Sequence, residues 1–313
     1  MVSRRRLLQL IAGSALSGIA TAAYGAGIGA RELRVTRYDL RPPQWTPGLS
    51  VKIAAVADLH ACDPWMDLDR IAGIVDRTNT LGADLIVLLG DYLTAMPRLA
   101  RKIPPSAWAS VLAGLKAPLG VHAILGNHDW WDDQAVQRSG HGMPEAGRAL
   151  EAAGIPVYEN DAVRLVKSGH PFWLVGLGDQ IAYVPARRFG WRTSRAGVDD
   201  LTATLAKVTD DAPVVLMAHE PDIAMQVPER VSLMLAGHMH AGQVRLFGWA
   251  PVTPSRYGSR FLYGYRREKC DVIVSGGLGC TNLPVRIGAP PEIVLVTLGA
   301  AEAVVAGDAN NRV

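Results

Sequence analysis

Val51-Lys52-Ile53-Ala54-Ala55-Val56-Ala57-Asp58-Leu59-His60 is the stretch whose reading decides the fold. It opens as a short apolar run, as expected of a strand buried on both faces, and it closes on an acid and an imidazole. The same arrangement recurs along the chain. Asp84–Leu89 leads to Gly90-Asp91, and Val121–Leu125 leads to Gly126-Asn127-His128-Asp129. Val214–Met217 leads to Ala218-His219-Glu220, and Ser232–Leu235 to Ala236-Gly237-His238-Met239-His240. Helical spacing fills intervals at Leu68–Leu81, Ala107–Lys116, Glu145–Ala153 and Leu201–Val208, with Gly82 and Gly154 as stops after the first and third. Further strands are predicted at Leu33–Leu40, Val163–Val166, Phe172–Val175, Val272–Val274 and Ile293–Leu298. Strands alternating with helices, then denser strands, predict a layered α/β domain.

The polar strand ends carry the chemistry. In open α/β sheets, ligands sit beyond the carboxyl ends of the strands, and five of the eight histidines fall at such ends here. A single Asp-x-His after a strand is an ordinary turn. Five such motifs in order, with Gly or Ala beside them, are not. If these segments stay extended, a spacing of two puts both side chains of Asp58-x-His60 and His238-x-His240 on one face; if they turn, spacing fixes nothing. His122, His141 and His170 belong to no motif and read as surface or structural residues. Cys62 reads as a small packing residue, with a thiolate ligand as the alternative.

Composition narrows the function classes. Of 313 residues 49% are apolar and 19% charged, which excludes intrinsic disorder and leaves ample material for a core. The 32 Gly and 20 Pro follow no period, so collagen-like and low-complexity readings fail. Three of the 32 basic residues are Arg4, Arg5 and Arg6, and the remaining 29 balance 29 acidic ones. A neutral body argues against bulk nucleic-acid binding. Three cysteines exclude a disulfide framework.

Arg4-Arg5-Arg6-Leu7-Leu8 precedes an uncharged stretch, rich in Gly, Ala and Ser, that runs to Ala30. A basic start before such a segment is an export signal, and the paired arginines followed by leucines resemble the twin-arginine type. A membrane anchor of about 20 residues is the alternative. The chain therefore divides into a signal or anchor at 1–30, one domain at 31–298 and a flexible tail at 299–313. The expected location is the periplasm or the envelope face of the cytoplasmic membrane, reached through the twin-arginine machinery.

The set Asp58-x-His60, Gly90-Asp91, Gly126-Asn127-His128-Asp129, His219 and Gly237-His238-x-His240 resembles the calcineurin-like metallophosphoesterases over residues 51–298. Gly242-Gln243-Val244-Arg245, Gly277-Leu278-Gly279, Leu283-Pro284-Val285-Arg286 and Pro291-Glu292-Ile293 resemble that family's exported bacterial phosphodiesterases less specifically. The resemblance implies a β-sandwich of two mixed sheets flanked by helices, with a site for two divalent metal ions. It implies that Asp58, His60 and His240 hold one ion, that Asn127, His219 and His238 hold the other, and that Asp91 bridges them. Mixed carboxylate, imidazole and amide ligands suit Mn, Fe or Zn better than Mg or Ca. Paired ions clamp a phosphoryl group and activate a water as hydroxide, so the implied reaction is phosphoester hydrolysis without a covalent enzyme intermediate. His128 is then the substrate-facing acid, with Asp129 orienting its ring; the alternative is that Asp129 caps the next segment.

Two other functions fit the resemblance: a pyrophosphatase acting on a nucleotide-activated lipid such as UDP-diacylglucosamine, and a non-catalytic metal-binding scaffold. An export signal counts against the first, and the complete ligand set against the second. Trp130-Trp131 and Trp65-Met66 are expected to rim the site, stacking on a base or sugar or touching a membrane surface, with Trp130 set against a large substrate. The arginines of Arg187-Arg188-Phe189-Gly190-Trp191-Arg192 are a candidate second phosphate grip, or an ordinary solvated loop.

Overall fold

Alternate residues of two central strands face two different apolar interiors. In β2 (Val51–Val56) and β4 (Leu85–Leu89), Ile53, Ala55, Leu85, Val87 and Leu89 face a second sheet, while Ala54, Val56, Ile86 and Leu88 face helices. This is the period of two expected of strands covered on both sides. The computed structural model describes residues 25–184, 187–188, 191–192 and 196–299. The arginines at 4–6, Phe189, Gly190 and residues 300–313 lie outside them, as do the side chains of Arg187, Arg188, Trp191 and Arg192.

The first sheet has the order β1 (Arg34–Leu40), β15 (Glu292–Leu298), β2, β4 and β6 (Val121–Ile124), with only the β15–β2 pair antiparallel. The second has the order β13 (Gly264–Arg267), β14 (Asp271–Val274), β12 (Leu233–Ala236), β11 (Val214–Met217), β8 (His170–Gly176) and β7 (Asp161–Lys167). Its two outer pairs are antiparallel and its inner ones parallel. Two-residue ladders join β3 (Cys62–Asp63) to β5 (Arg101–Lys102), and β9 (Arg187–Arg188) to β10 (Trp191–Arg192).

Between the sheets, Phe172, Leu174, Val215, Met217, Leu235 and Ile273 of the second pack on the inner face of the first. Helices α1 (Leu68–Asn79), α2 (Pro105–Leu112) and α5 (Glu145–Ala152) cover the first sheet's outer face. Helix α6 (Leu201–Ala206) covers part of the second. The expected sandwich of two mixed sheets flanked by helices is thus the architecture found.

Local chemistry explains the elements. Asp67 caps α1 by accepting the Arg70 N–H at 2.8 Å, and Ile71, Ile74, Val75 and Thr78 form its buried face. Gly82, at φ +60, turns the chain toward β4. Apart from the two-residue strands, three labelled elements escaped the sequence reading. Strand β13 is an edge strand whose Gly-Tyr-Arg-Arg carries no apolar run. Helices α3 (Asn127–Trp131) and α4 (Gln134–Ser139) are too short to show a helical period. Residues 25–30 sit on the body. The Arg286 N–H donates to the Gly25 carbonyl at 3.0 Å, and the Arg70 guanidinium donates to that of Ala30. Among the described residues, no helix is long and apolar enough to cross a membrane.

Trp108 of α2 is fully buried and stacks on Tyr92, ring centroids 5.2 Å apart, just behind the loop that follows β4. Trp108→Ala should therefore cost about 3–5 kcal/mol of stability. A urea titration that left the unfolding midpoint in place would contradict that packing.

Candidate metal centre

The strand ends do not stay extended. Asp58, His60, Asp91, His238 and His240 all take the left-handed backbone conformation, with φ between 49 and 69. Such residues are uncommon outside glycine and cluster at functional sites. The turns bring together what spacing alone left open. The glycines beside the motifs leave room for this: a Cβ on Gly126 would lie 2.5 Å from Asp91 Oδ1, and one on Gly237 would lie 2.7 Å from Asp58 Oδ2.

Two clusters result, and they share one residue. Ligand atoms of Asp58, His60, Asp91 and His240 lie within 4.8 Å of one another, and so do those of Asp91, His219 and His238. Asp91 Oδ2 is 3.5 Å from His60 Nε2 and 3.3 Å from His219 Nε2. His240 Nε2 lies 3.1 Å from His60 Nε2 and 3.6 Å from Asp58 Oδ1. Asn127 Oδ1 accepts from His238 Nδ1 at 2.9 Å, so the amide joins the second cluster. The structure thus brings together all seven side chains singled out as ligands.

The far nitrogens of two rings are fixed. His60 Nδ1 and His219 Nδ1 donate to the carbonyls of Leu93 and Leu89, both at 2.7 Å, which turns Nε2 of each ring inward. Asp58 Oδ2 and His219 Nε2 are buried without a hydrogen-bond partner. Buried polar atoms are nearly always paired, so these two point to a missing partner. A divalent cation fits that place: the donors are carboxylate, imidazole and amide, and only a positive charge relieves so many buried lone pairs.

Electrostatics say the same. Burial, opposed by the His219 imidazole and reinforced by Asp91, pushes the Asp58 carboxyl up to about 7. Burial also works against the charge of Asp91, but the His219, His128 and His60 imidazoles outweigh it and hold Asp91 well below the usual carboxylate range. His219 is driven the other way: burial favours its neutral form, yet Asp91 raises it well above an ordinary imidazole. Burial lowers His60 to about 4 and depresses His238 and His240 as well.

Asp129 has a different task from the one expected of it. Oδ1 accepts the N–H groups of Tyr92 and Leu93, and Oδ2 accepts those of Asp91 and Gly126, at 2.9–3.2 Å. Four donors fill a carboxylate's lone-pair sites, so the His128 ring is not its partner. Asp129 caps its own turn and also ties the loop after β4 to the loop after β6. His128 is held by its backbone, whose N–H donates to Asp91 Oδ1 at 2.8 Å. Its ring lies edge-on to those of His60 and Trp131, with both centroid distances 5.2 Å.

The tryptophan expectation also changes. Because the segment is helical, successive side chains point apart. Trp130 is buried against Tyr183, and Trp131 lines the cleft over the metal clusters. Met66 is core and Trp65 packs against it. Cys62 is fully buried outside both clusters, and burial raises its thiol. His122 is structural, its ring nitrogens bonded to the Tyr158 hydroxyl and the Leu119 carbonyl, while His141 is exposed and His170 half-buried.

Arg286 was legible only as part of a less specific match. It is fully buried, and its five donors reach the carbonyls of Gly276, Gly279 and Ala289 and, at 3.2 Å, His240 Nδ1. It therefore fixes the loop that carries it against His240. Asp179 and Glu220 also lie within 4.8 Å of His219, and burial, with the Glu220 charge, pushes Asp179 well above the carboxylate range.

Known proteins resemble the chain along most of its length. The profile of the calcineurin-like phosphoesterases matches residues 51–242. An uncharacterized metallophosphoesterase of Bacillus subtilis, YkuE, is 28% identical over 305 residues, covering 95% of this chain and 98% of its own length. One from Aquifex aeolicus is 27% identical over 266 residues, 85% of this chain and 92% of that protein. A Danio rerio transmembrane protein with a metallophosphoesterase domain is 26% identical over 79% of this chain, which spans about half (53%) of that relative.

Asp129→Asn should orphan two of the four N–H groups, at about 1–3 kcal/mol each, and loosen the loops that carry Asp91 and Asn127. Thermal unfolding and metal titration should both show the loss. A carboxylate that merely oriented the His128 ring would, on removal, leave stability and metal uptake intact and lower only kcat.

Proposed function

The chain belongs to the calcineurin-like phosphoesterase family and is a metal-dependent phosphoester hydrolase, and from that premise we propose that it is an exported enzyme that uses two divalent ions to cleave phosphodiesters. The observation that carries the reading is the carboxylate of Asp91, shared between the two ligand clusters. Asp58, His60 and His240 would hold one ion, Asn127, His219 and His238 the other, with Asp91 between them.

Mn, Fe or Zn bound there would polarise the phosphoryl oxygens and lower the pKa of water toward neutrality. The chain's own residues do the rest. Asp91 fixes the His128 N–H at 2.8 Å, which sets the imidazole at the floor of the cleft. Water adds to phosphorus, the bond from phosphorus to the leaving oxygen breaks, and His128 gives that oxygen its proton. Asp129 keeps the loops of Asp91 and His128 in register throughout.

Diester preference rests on charge. None of the described residues that line the cleft is Lys or Arg, so little is available to neutralise the second negative charge of a monoester. The same absence weighs against the pyrophosphate of a nucleotide-activated lipid, although apolar walls favour a lipid portion. Export rests on the paired arginines and uncharged leader, and places the enzyme in the periplasm or on the envelope face of the cytoplasmic membrane.

The metal-loaded chain should hydrolyse bis-p-nitrophenyl phosphate, and Asp91→Asn should lose metal and turnover together. His128→Ala should keep its metal while kcat falls about 10²–10⁴-fold, less for nitrophenyl than for alkyl leaving groups. Two ions retained in Asp91→Asn with near-parent turnover would refute the assignment. Exchanging both Arg4 and Arg5 for Lys should hold the protein in the cytoplasm; undiminished export would remove the twin-arginine reading.

A further inference from the structure

The cavity above the two ligand clusters, about 630 Å³, has a polar floor and mostly apolar walls. Asn127, His128 and His238 form part of the floor. The walls include Trp131, Val244, Pro251, Val252, Leu283 and Val285. A phosphate can meet the floor; the polar side chains among the walls, Gln243, Thr281 and Asn282, carry no charge, so a second phosphate would find no ion pair there.

The apolar surface continues outward. The four most exposed large apolar side chains among the described residues are Phe247 at 109%, Trp249 at 66%, Val252 at 65% and Leu283 at 59%. All four belong to the two loops that form the walls. Leu246 and Trp249 close a two-residue hairpin through reciprocal N–H to carbonyl bonds of 2.9 and 3.0 Å. Its central residues, Phe247 and Gly248, lie at φ 52 and 86. Such a turn ordinarily takes Asn-Gly, and a bulky aromatic at positive φ is an outlier. The chain therefore holds a phenyl ring in solvent, at a conformational cost, on the lip of its active-site cleft.

The tip is braced. The Arg245 N–H donates to the Ile287 carbonyl of the opposite loop, the Ile287 N–H donates to the Gln243 carbonyl, both at 2.8 Å, and the Arg245 guanidinium lies 4.6 Å from the centre of the Tyr263 ring. The Gln243 amide donates to the carbonyls of Thr281 and Leu283. Nearby Arg256 and Arg260 are paired with Asp222 and Glu268. A rigid aromatic and aliphatic tip without a free basic cluster suits insertion into a lipid surface by its apolar area, without reliance on anionic headgroups.

We infer that the substrate is an amphiphilic phosphodiester resident in a bilayer. The Leu246–Trp249 tip, with Val252 and Leu283, seats the cleft on the membrane, and the substrate's acyl or alkyl portion leaves the floor along the Val244–Val252 wall. This rests on the phosphodiesterase reading above and adds the chemistry of what is esterified.

Two measurements on the metal-loaded full chain test it. The first compares p-nitrophenyl decyl phosphate with p-nitrophenyl methyl phosphate, both as monomers, so that reaction and leaving group are the same. The decyl ester should win by about 10-fold or more in kcat/KM, the scale of a few buried methylenes. Val252→Asp with Leu283→Asp should bring that ratio toward one; a ratio does not depend on how much of a variant folds. Equal rates for the two esters in the parent chain would overturn the inference while leaving the phosphodiesterase reading intact. No hydrolysis of either would overturn both.

The second attaches a nitroxide through Phe247→Cys, the three native cysteines being buried and out of reach of the reagent. On addition of phosphatidylcholine vesicles the label should gain oxygen contact and lose contact with an aqueous nickel chelate. A label at Val166→Cys on β7 should not. A water-exposed label at 247, or equal changes at both positions, would overturn the docking of this tip whatever the leader segment does.

Discussion

The carboxylate of Asp129, closed around four backbone N–H groups, is the interaction on which the rest of the site depends. It takes donors from the loop after β4 and from its own turn after β6, two loops that each carry metal-ligand candidates. Backbone N–H groups buried without acceptors are expensive, so the two loops hold together or are lost together. Burial raises its carboxyl, as does the neighbouring Asp91, to about 7, a sign of how closely the acids are packed. Left-handed turns at Asp58, Asp91 and His238 persist because such bonds over-determine them.

A second constraint runs between the sheets. His219 ends a strand of the second sheet, yet its ring donates to the carbonyl of Leu89 and faces Asp91, both at the end of a strand of the first. Buried polar groups thus meet where two apolar interiors end. Such a place is costly unless its lone pairs are engaged. A cation held there would engage them and couple the two sheets, so that metal affinity and stability would share one source. The neighbouring glycines follow from the same crowding: Asp91 and Asp58 occupy the space their side chains would need.

Division of labour extends to the cleft. Its floor is built from strand ends held by backbone bonds, which gives fixed geometry to the reacting phosphate. Its walls come from Trp131 and from two long loops after β12 and β14, where side chains can be exposed without loss of the core. Gln243 and the Val244–Ile287 bridge tie those loops together. The candidate ligands and the apolar lining therefore lie on separate parts of the chain, the first at the strand ends and the second on the lip.

The sequence by itself determined most of the strands, the principal helices and, through a family resemblance, the candidate metal ligands. Each of these is written locally: apolar runs of strand length, a helical stripe with its cap, and polar residues placed directly after strands. Only the tertiary structure decided how those pieces are used. It put β15 between β1 and β2, turned Trp130 inward and Trp131 toward the cleft, and gave Asp129 to backbone donors 36–38 positions away. It also buried Arg286 beside His240, 46 positions distant, and set Phe247 in solvent at the cleft's lip. A carboxylate reads the same in the sequence whether it binds a ring, a cation or a backbone. Which of these it meets is fixed by long-range pairing, and no local periodicity records that.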